Sequence, residues 1–191
     1  MDALELLHGR ESAARLQAPA PSDAELAAIV QAALCAPDHG RLRPWRFIAI
    51  RGEALQRFGE VLAETLQARM PQASADVLAR ERAKALRAPL IVAVAARIRD
   101  NGKIPAVEQL LSAGAAAQNI MLAANALGYG AMWKTGDPAY DPAVKRALGL
   151  EEQDALVAFI YLGTNSGTAR PAQPRAPVPE YLVEWRGRGA A

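Results

Sequence analysis

The chain has 191 residues, 51% of them hydrophobic, with 22 Lys and Arg against 20 Asp and Glu, two His and one Cys. This size and composition predict a single domain with a substantial core and exclude disorder of the whole chain, and a formal charge of +2 without a basic tract favours phosphate-sized partners over nucleic acid. Lone Cys35 permits no internal disulfide, the opening Met1-Asp2-Ala3-Leu4-Glu5 is acidic where a secretory leader is cationic, and no apolar run reaches the ~18 residues of a membrane span, so a soluble cytoplasmic protein is expected.

Leu4, Leu6 and Leu7 suit a short first helix ending near Gly9, which delivers Arg10 and Ser12 to the following turn. Pro19 and Pro21 break the chain. Ser22-Asp23-Ala24-Glu25 reads as a capping box ahead of Leu26, Ile29, Val30, Ala33 and Leu34, predicting a helix over 23–35. A basic loop over 36–45 leads to a strand at 46–50, closed by the turn Arg51-Gly52-Glu53. Residues 53–86 read as helical with a break at Pro71. The continuous apolar run 89–95 predicts a central strand covered on both faces. Residues 106–127 form the longest predicted helix, whose small residues lie around much of its circumference and call for close neighbours on more than one side, one of them in a second subunit. Strands at 131–133 and 156–162 flank a small helix at 142–148. The last 25 residues carry Pro171, Pro174, Pro177 and Pro179 and predict an extended arm over about 166–191. There is no repeat and no linker to a second domain.

The stretch Ala36-Pro37-Asp38-His39-Gly40-Arg41-Leu42-Arg43-Pro44-Trp45 is longer than a plain helix-to-strand link of about two to six residues. Its residue types suit an anionic, aromatic ligand: guanidinium groups fork onto phosphate, a Trp face covers a planar ring, and Pro44 fixes the backbone. A solvated basic turn with Trp45 packed beneath is the plainer alternative. Cys35 reads as a small buried hydrophobe. Neither His8 nor His39 has the spacing of a metal site. Gly128-Tyr129-Gly130 is superficially nucleotide-like, yet it follows a helix, precedes a strand and lacks a third Gly, so a dinucleotide fold is rejected; a helix cap and a turn account for both glycines.

Four segments in order carry a resemblance. They are Arg10-Glu11-Ser12-Ala13-Ala14-Arg15, the basic loop, the run Gly128 to Gly136, and the Arg/Pro-rich tail with Arg170 and Arg175. Together they resemble the FMN-dependent nitroreductase family, above all its compact bacterial subgroup of NAD(P)H nitroreductases, whose chains open with a near-identical Met-Asp-Ala-Leu-Glu-Leu-Leu and carry the same Ala-Pro-Asp-His. The resemblance spans Met1 to about Arg175. It implies an α+β fold with a mixed central sheet flanked by helices, in an interlocked homodimer with two FMN sites.

By that resemblance Arg10, Ser12 and a basic residue such as Arg15 hold the FMN phosphate and ribityl chain, and Glu11 departs from the family's second basic residue. The basic loop reaches the flavin of the other subunit, with His39 and Arg41 at positions where the family carries Ser and Asn and Arg43 in place of a Gln, and the resemblance counts Cys35 beside it, like Glu11 beside Arg10, among the cofactor-binding positions. His39 is then either a donor to a flavin or substrate oxygen and a source of protons, or a structural residue bonded to loop carbonyls. One of Arg80, Arg82 and Lys84 lies against the pyrimidine end of the flavin, where a fixed cation favours reduction. Trp133, Lys134 and Thr135 cover the ring near N5, with Trp133 alternatively ordinary core, and Arg175 closes the phosphate site. The implied activity is transfer of two electrons from NADH or NADPH to a nitroaromatic, quinone or similar small-molecule acceptor by a ping-pong mechanism. The alternatives are a relative with a dedicated substrate, for reductive dehalogenation or enal/enone-type reduction, and a non-catalytic flavin-binding protein. The segment over about 60–80 is the expected lid.

Overall fold

The computed structural model describes residues 2–167 and 176–187. Its elements are α1 (Ala3–Gly9), β1 (Leu16–Gln17), α2 (Asp23–Ala33), β2 (Trp45–Arg51), α3 (Glu53–Arg69), α4 (Ala75–Arg82), β3 (Leu90–Ala96), α5 (Ala106–Ala126), β4 (Gly130–Lys134), α6 (Asp137–Tyr140), α7 (Pro142–Ala147) and β5 (Ala155–Asn165), with 3-10 turns at His39–Arg41, Ala83–Leu86 and Val178–Glu180.

All seven residues of β3 are buried, as its continuous apolar run predicts for a strand with neighbours above and below. Fully burying a Val, Leu or Ile stabilises by about 1.5–3 kcal/mol, so this strand contributes strongly to the sheet, as does the largely buried β5 beside it. Across the sheet the order is β2-β3-β5-β4, and the short β1 pairs with the end of β5 at Leu16 with Asn165 and Gln17 with Thr164. Every pairing among the described residues is antiparallel, where a mixed sheet was expected; the α+β class itself holds.

Alternation along the strands sends side chains to two separate cores. On one face Leu90, Val92, Val94, Ala158, Ile160 and Leu162 pack against α2 and α5. On the other, Ile91, Ala93, Phe159 and Tyr161 pack against Leu55, Phe58 and Leu62 of α3 and Val144 of α7. The capping box of α2 forms as predicted, with Glu25 N donating to Ser22 Oγ at 3.3 Å and Ser22 N to Glu25 Oε2 at 2.8 Å. The helical region over 53–86 divides into α3, α4 and a 3-10 turn, and the connection to β5 carries α6 as well as the expected small helix.

Gly130 does a different job from the turn duty first assigned to it. It lies in β4, and a Cβ there would meet Leu16 Cδ2 at 2.7 Å, Ala13 Cβ at 2.9 Å and Asn165 Cβ at 3.0 Å. Without one, the segment after α1 comes close enough for Ala13 N to donate to Ala131 O at 2.9 Å. The Arg10 to Arg15 stretch is thereby held against β4.

Candidate active site

The face of the sheet that carries α3 ends in two open hollows that meet. The first, about 210 Å³, has an apolar wall of Phe58, Leu62 and Phe159, the two phenyl rings 5.5 Å apart, and is covered by Lys134, Thr135, Gly136, Asp137 and Pro138. The second, about 180 Å³, is lined by Ala13, Ala14, Leu16 and Met132. Arg87, Lys134 and Tyr161 line both and form the waist between them. The result is one trough, running from an aromatic floor to the segment that follows α1.

The loop that covers the first hollow is fixed at both ends. Gly136 takes the left-handed conformation (φ 68) that glycine adopts without strain, which turns the chain from β4 into α6. Arg69, at the end of α3, pairs with Asp137 at 3.2 Å and with Asp141 at 3.3 Å, and Asp141 caps α7 through Ala143 N at 2.8 Å.

Positive charge dominates the trough. Lys84 pairs with Glu81, Nζ to Oε1 2.7 Å, whereas Arg87 and Lys134 have no ion pair among the described residues. Glu81 is itself buried, so its charge is spent on Lys84 rather than offered to a ligand. Burial pushes the Tyr161 phenol above the ordinary tyrosine range; Arg87 opposes this and Glu81 adds to it. The phenol therefore stays protonated at neutral pH and is available as a donor.

Lys84, Lys134 and Thr135 line the trough. Of the three basic residues left open by the sequence, Lys84 faces it, Arg82 is turned to Glu60 (2.7 Å), and Arg80 lies exposed on α4 outside the lining. Arg10 caps α1 and is half-buried, with Glu11 and Ser12 exposed beside it, one residue before Ala13 of the second hollow. Arg175 and Arg170 lie outside the described residues.

One expectation is corrected, and at three positions the geometry within the chain bears on readings that the sequence left open. Cys35 is exposed at the end of α2, where its thiol donates to Gln31 O at 3.5 Å, because the helix turns that edge outward. Trp133 faces the opposite core: strand alternation puts Met132 and Lys134 on the trough side and Trp133 against the α5 side. Trp45 begins β2 and is packed, its indole N–H donating to Ser112 Oγ at 2.9 Å, while Ser112 donates to Pro37 O at 2.5 Å. His39 is bonded through Nδ1 to Glu108 of α5 at 2.6 Å, not to loop carbonyls, and lies outside the trough of its own chain.

The basic loop is nonetheless rigidly shaped. Arg41 and Arg43 both have positive φ (55 and 49), a conformation uncommon outside glycine, and Asp38 holds it by accepting from Leu42 N at 3.2 Å and Arg43 N at 2.8 Å. Both arginine side chains point to solvent.

The sequence reading overlooked Arg87 and Tyr161. Arg87 stands just before an apolar strand, and Tyr161 is the one residue with a hydroxyl inside the apolar run 156–162; either would have been a signal.

The architecture is that of known nitroreductase-type proteins. A nitroreductase-like family protein from Bacillus cereus superposes with TM-score 0.81 at 21% identity, covering 98% of this chain and 97% of that one. A variant of the FMN and NADPH-dependent nitroreductase NfnB from Sphigopyxis sp. strain HMH gives TM-score 0.74 at 20% identity, covering 98% and 100%. In sequence, the Escherichia coli (strain K12) protein named "Putative NAD(P)H nitroreductase YdjA" is 44% identical over 166 residues, 86% of this chain and 88% of its own length. Residues 7–164 match the profile of the Nitroreductase family, and the chain belongs to that family.

Proposed function

We propose that this protein is a flavin oxidoreductase that binds FMN along the trough and passes two electrons from NADH or NADPH to a nitroaromatic, quinone or similar small acceptor in a ping-pong cycle. The observation that carries the reading is a single trough with an aromatic wall at one end, unpaired cations Arg87 and Lys134 at its waist, and an approach to Arg10 and Ser12 at the other end. This donor set fits a planar ring joined by a polar chain to a phosphate. The names of the relatives agree with it: the Escherichia coli relative is named "Putative NAD(P)H nitroreductase YdjA", and NfnB is described as FMN and NADPH-dependent.

When bound, FMN supplies the two-electron chemistry, for which no side chain need act as nucleophile. The chain's own residues orient and polarise. Phe58, Leu62 and Phe159 exclude water from one side of the ring hollow, and the Thr135–Asp137 cover, tied down by Arg69, excludes it from another. Lys84, Arg87 and Lys134 stabilise negative charge that develops during reduction. Arg10 and Ser12, with Arg15, would hold the phosphate end, where Glu11 is exposed beside them.

The same reading takes the active form as an interlocked homodimer. Leu4 and Leu7 of α1, Val107 and Leu111 of α5, and Leu182, Val183 and Trp185 of the arm are exposed apolar side chains that a second copy would cover. In that dimer the strained basic loop meets the partner's trough and presents His39 as the source of protons for the reduced acceptor.

The test is the visible spectrum of freshly purified protein, followed by mass spectrometry of the released chromophore. Paired flavin bands and an FMN mass support the reading. A colourless protein that takes up no FMN on reconstitution contradicts it.

A further inference from the structure

Tyr161 stands where the two hollows meet, and its surroundings differ along its length. The ring belongs to the core on the α3 side, opposite Met132 of β4, and only 7% of the residue is exposed. The hydroxyl has no hydrogen-bond partner among the described residues. Yet among those residues no fully buried side-chain polar atom lacks a partner. The oxygen is therefore not sealed in the core: it opens into the trough, both halves of which Tyr161 lines.

A hydroxyl that opens into the trough from an otherwise buried side chain is not needed for packing, since phenylalanine would fill the same space, and it leaves a donor free for whatever occupies the trough. Arg87 lies at the same waist and Glu81 is close enough to act on the phenol's charge. The donor is aimed at something the protein alone does not provide. An apolar wall lies to one side of it, and the segment bearing Arg10 and Ser12 to the other, so a flavin lying along the trough would bring to the waist the part where its polar chain leaves the ring, beside the N1 and C2 carbonyl edge.

We propose that the Tyr161 phenol donates a hydrogen bond to that edge of the bound flavin, an inference that rests on the FMN reading above and names a residue that sets both affinity and redox poise. Reduction concentrates negative charge on this edge. A neutral O–H donor flanked by Arg87 and Lys134 binds the charged form more tightly than the oxidised one. No proton is transferred and no bond other than the hydrogen bond is made.

The experiment is Tyr161→Phe, compared with the wild type in three measurements: thermal unfolding of the FMN-free protein, FMN dissociation by fluorescence titration, and the midpoint potential of the holoprotein by dye-coupled reduction. The expected results are an unchanged unfolding temperature without FMN, FMN binding weakened about 10-fold, and a potential lowered by about 30 mV for each tenfold preference for the reduced form that is lost. A lowered unfolding temperature without FMN overturns the proposal, because the hydroxyl then has a partner within the protein. Unchanged affinity and potential overturn it too, and weakened binding with an unmoved potential overturns the assignment to the reducible edge. A wild type that takes up no FMN defeats the functional reading itself, whereas a wild type that binds FMN beside an indifferent Tyr161→Phe defeats only this inference.

Discussion

Arg87 and Lys134 are cations with no carboxylate beside them among the described residues, in a chain that pairs Arg51 with Asp23, Arg69 with Asp137 and Arg82 with Glu60. Unpaired charge at the waist of a trough is a recognition device for an anion. Arg87→Gln should weaken FMN binding about 10-fold and flatten its dependence on salt, as fluorescence titrations at two ionic strengths would read out. Unchanged binding would remove Arg87 from the site. Gly130 makes a complementary case, in which a missing side chain matters. Gly130→Ala forces Leu16, Ala13 and Asn165 apart and should destabilise by about 1–3 kcal/mol in urea unfolding, while loosening the Arg10 to Ser12 segment. Residue types were legible at this scale and directions were not. Lys134 and Thr135 are read from the resemblance of the run Gly128 to Gly136, and both line the trough. The side to which Trp133 turns depends on strand register, and the outward turn of Cys35 depends on where α2 meets its neighbours.

Among the elements, α2 and the cover loop carry separable predictions. Glu25 is held below the ordinary carboxylate range, first by the Ser22 hydroxyl, then by the Ser22 amide and the Tyr129 hydroxyl, against a small opposing effect of burial. A depressed carboxyl stabilises the fold above its unfolded pKa and loses that contribution as pH falls through the folded value. Ser22→Ala should therefore cost about 1 kcal/mol near pH 7, with the gap from wild type narrowing below about pH 4. Urea titrations at both pH values check it, and a gap that widens in acid would contradict the cap. Arg69 joins α3 to both ends of α6. Its guanidinium is more than a third open to water, so Arg69→Ala should cost only ~1–2 kcal/mol. Amide exchange should nevertheless speed up over residues 134–141, which would loosen the cover of the ring hollow. These elements were legible because their signals are local: a capping box, a continuous apolar run, a proline break. The pairing directions and the short β1 were not, because two residues carry no period and a sheet's sense depends on connections across the whole fold.

At the scale of the molecule, the proposed dimer would cover the exposed apolar side chains of α1, α5 and the arm. Sedimentation of the flavin-loaded protein should give twice the 20.3 kDa chain mass, and a flavin-loaded monomer would contradict the dimer. The family was legible in four short segments because their residue types and order persist in the sequence. The acceptor was not, because no short motif in the chain names a small molecule.

The central claim is that the trough turns a bound flavin into a two-electron relay. It is tested most directly by anaerobic mixing of the yellow holoprotein first with NADH or NADPH and then with a nitroaromatic or quinone. The account predicts that the flavin absorbance bleaches in the first step and returns in the second without further nucleotide. Flavin that stays oxidised under both nucleotides would contradict it.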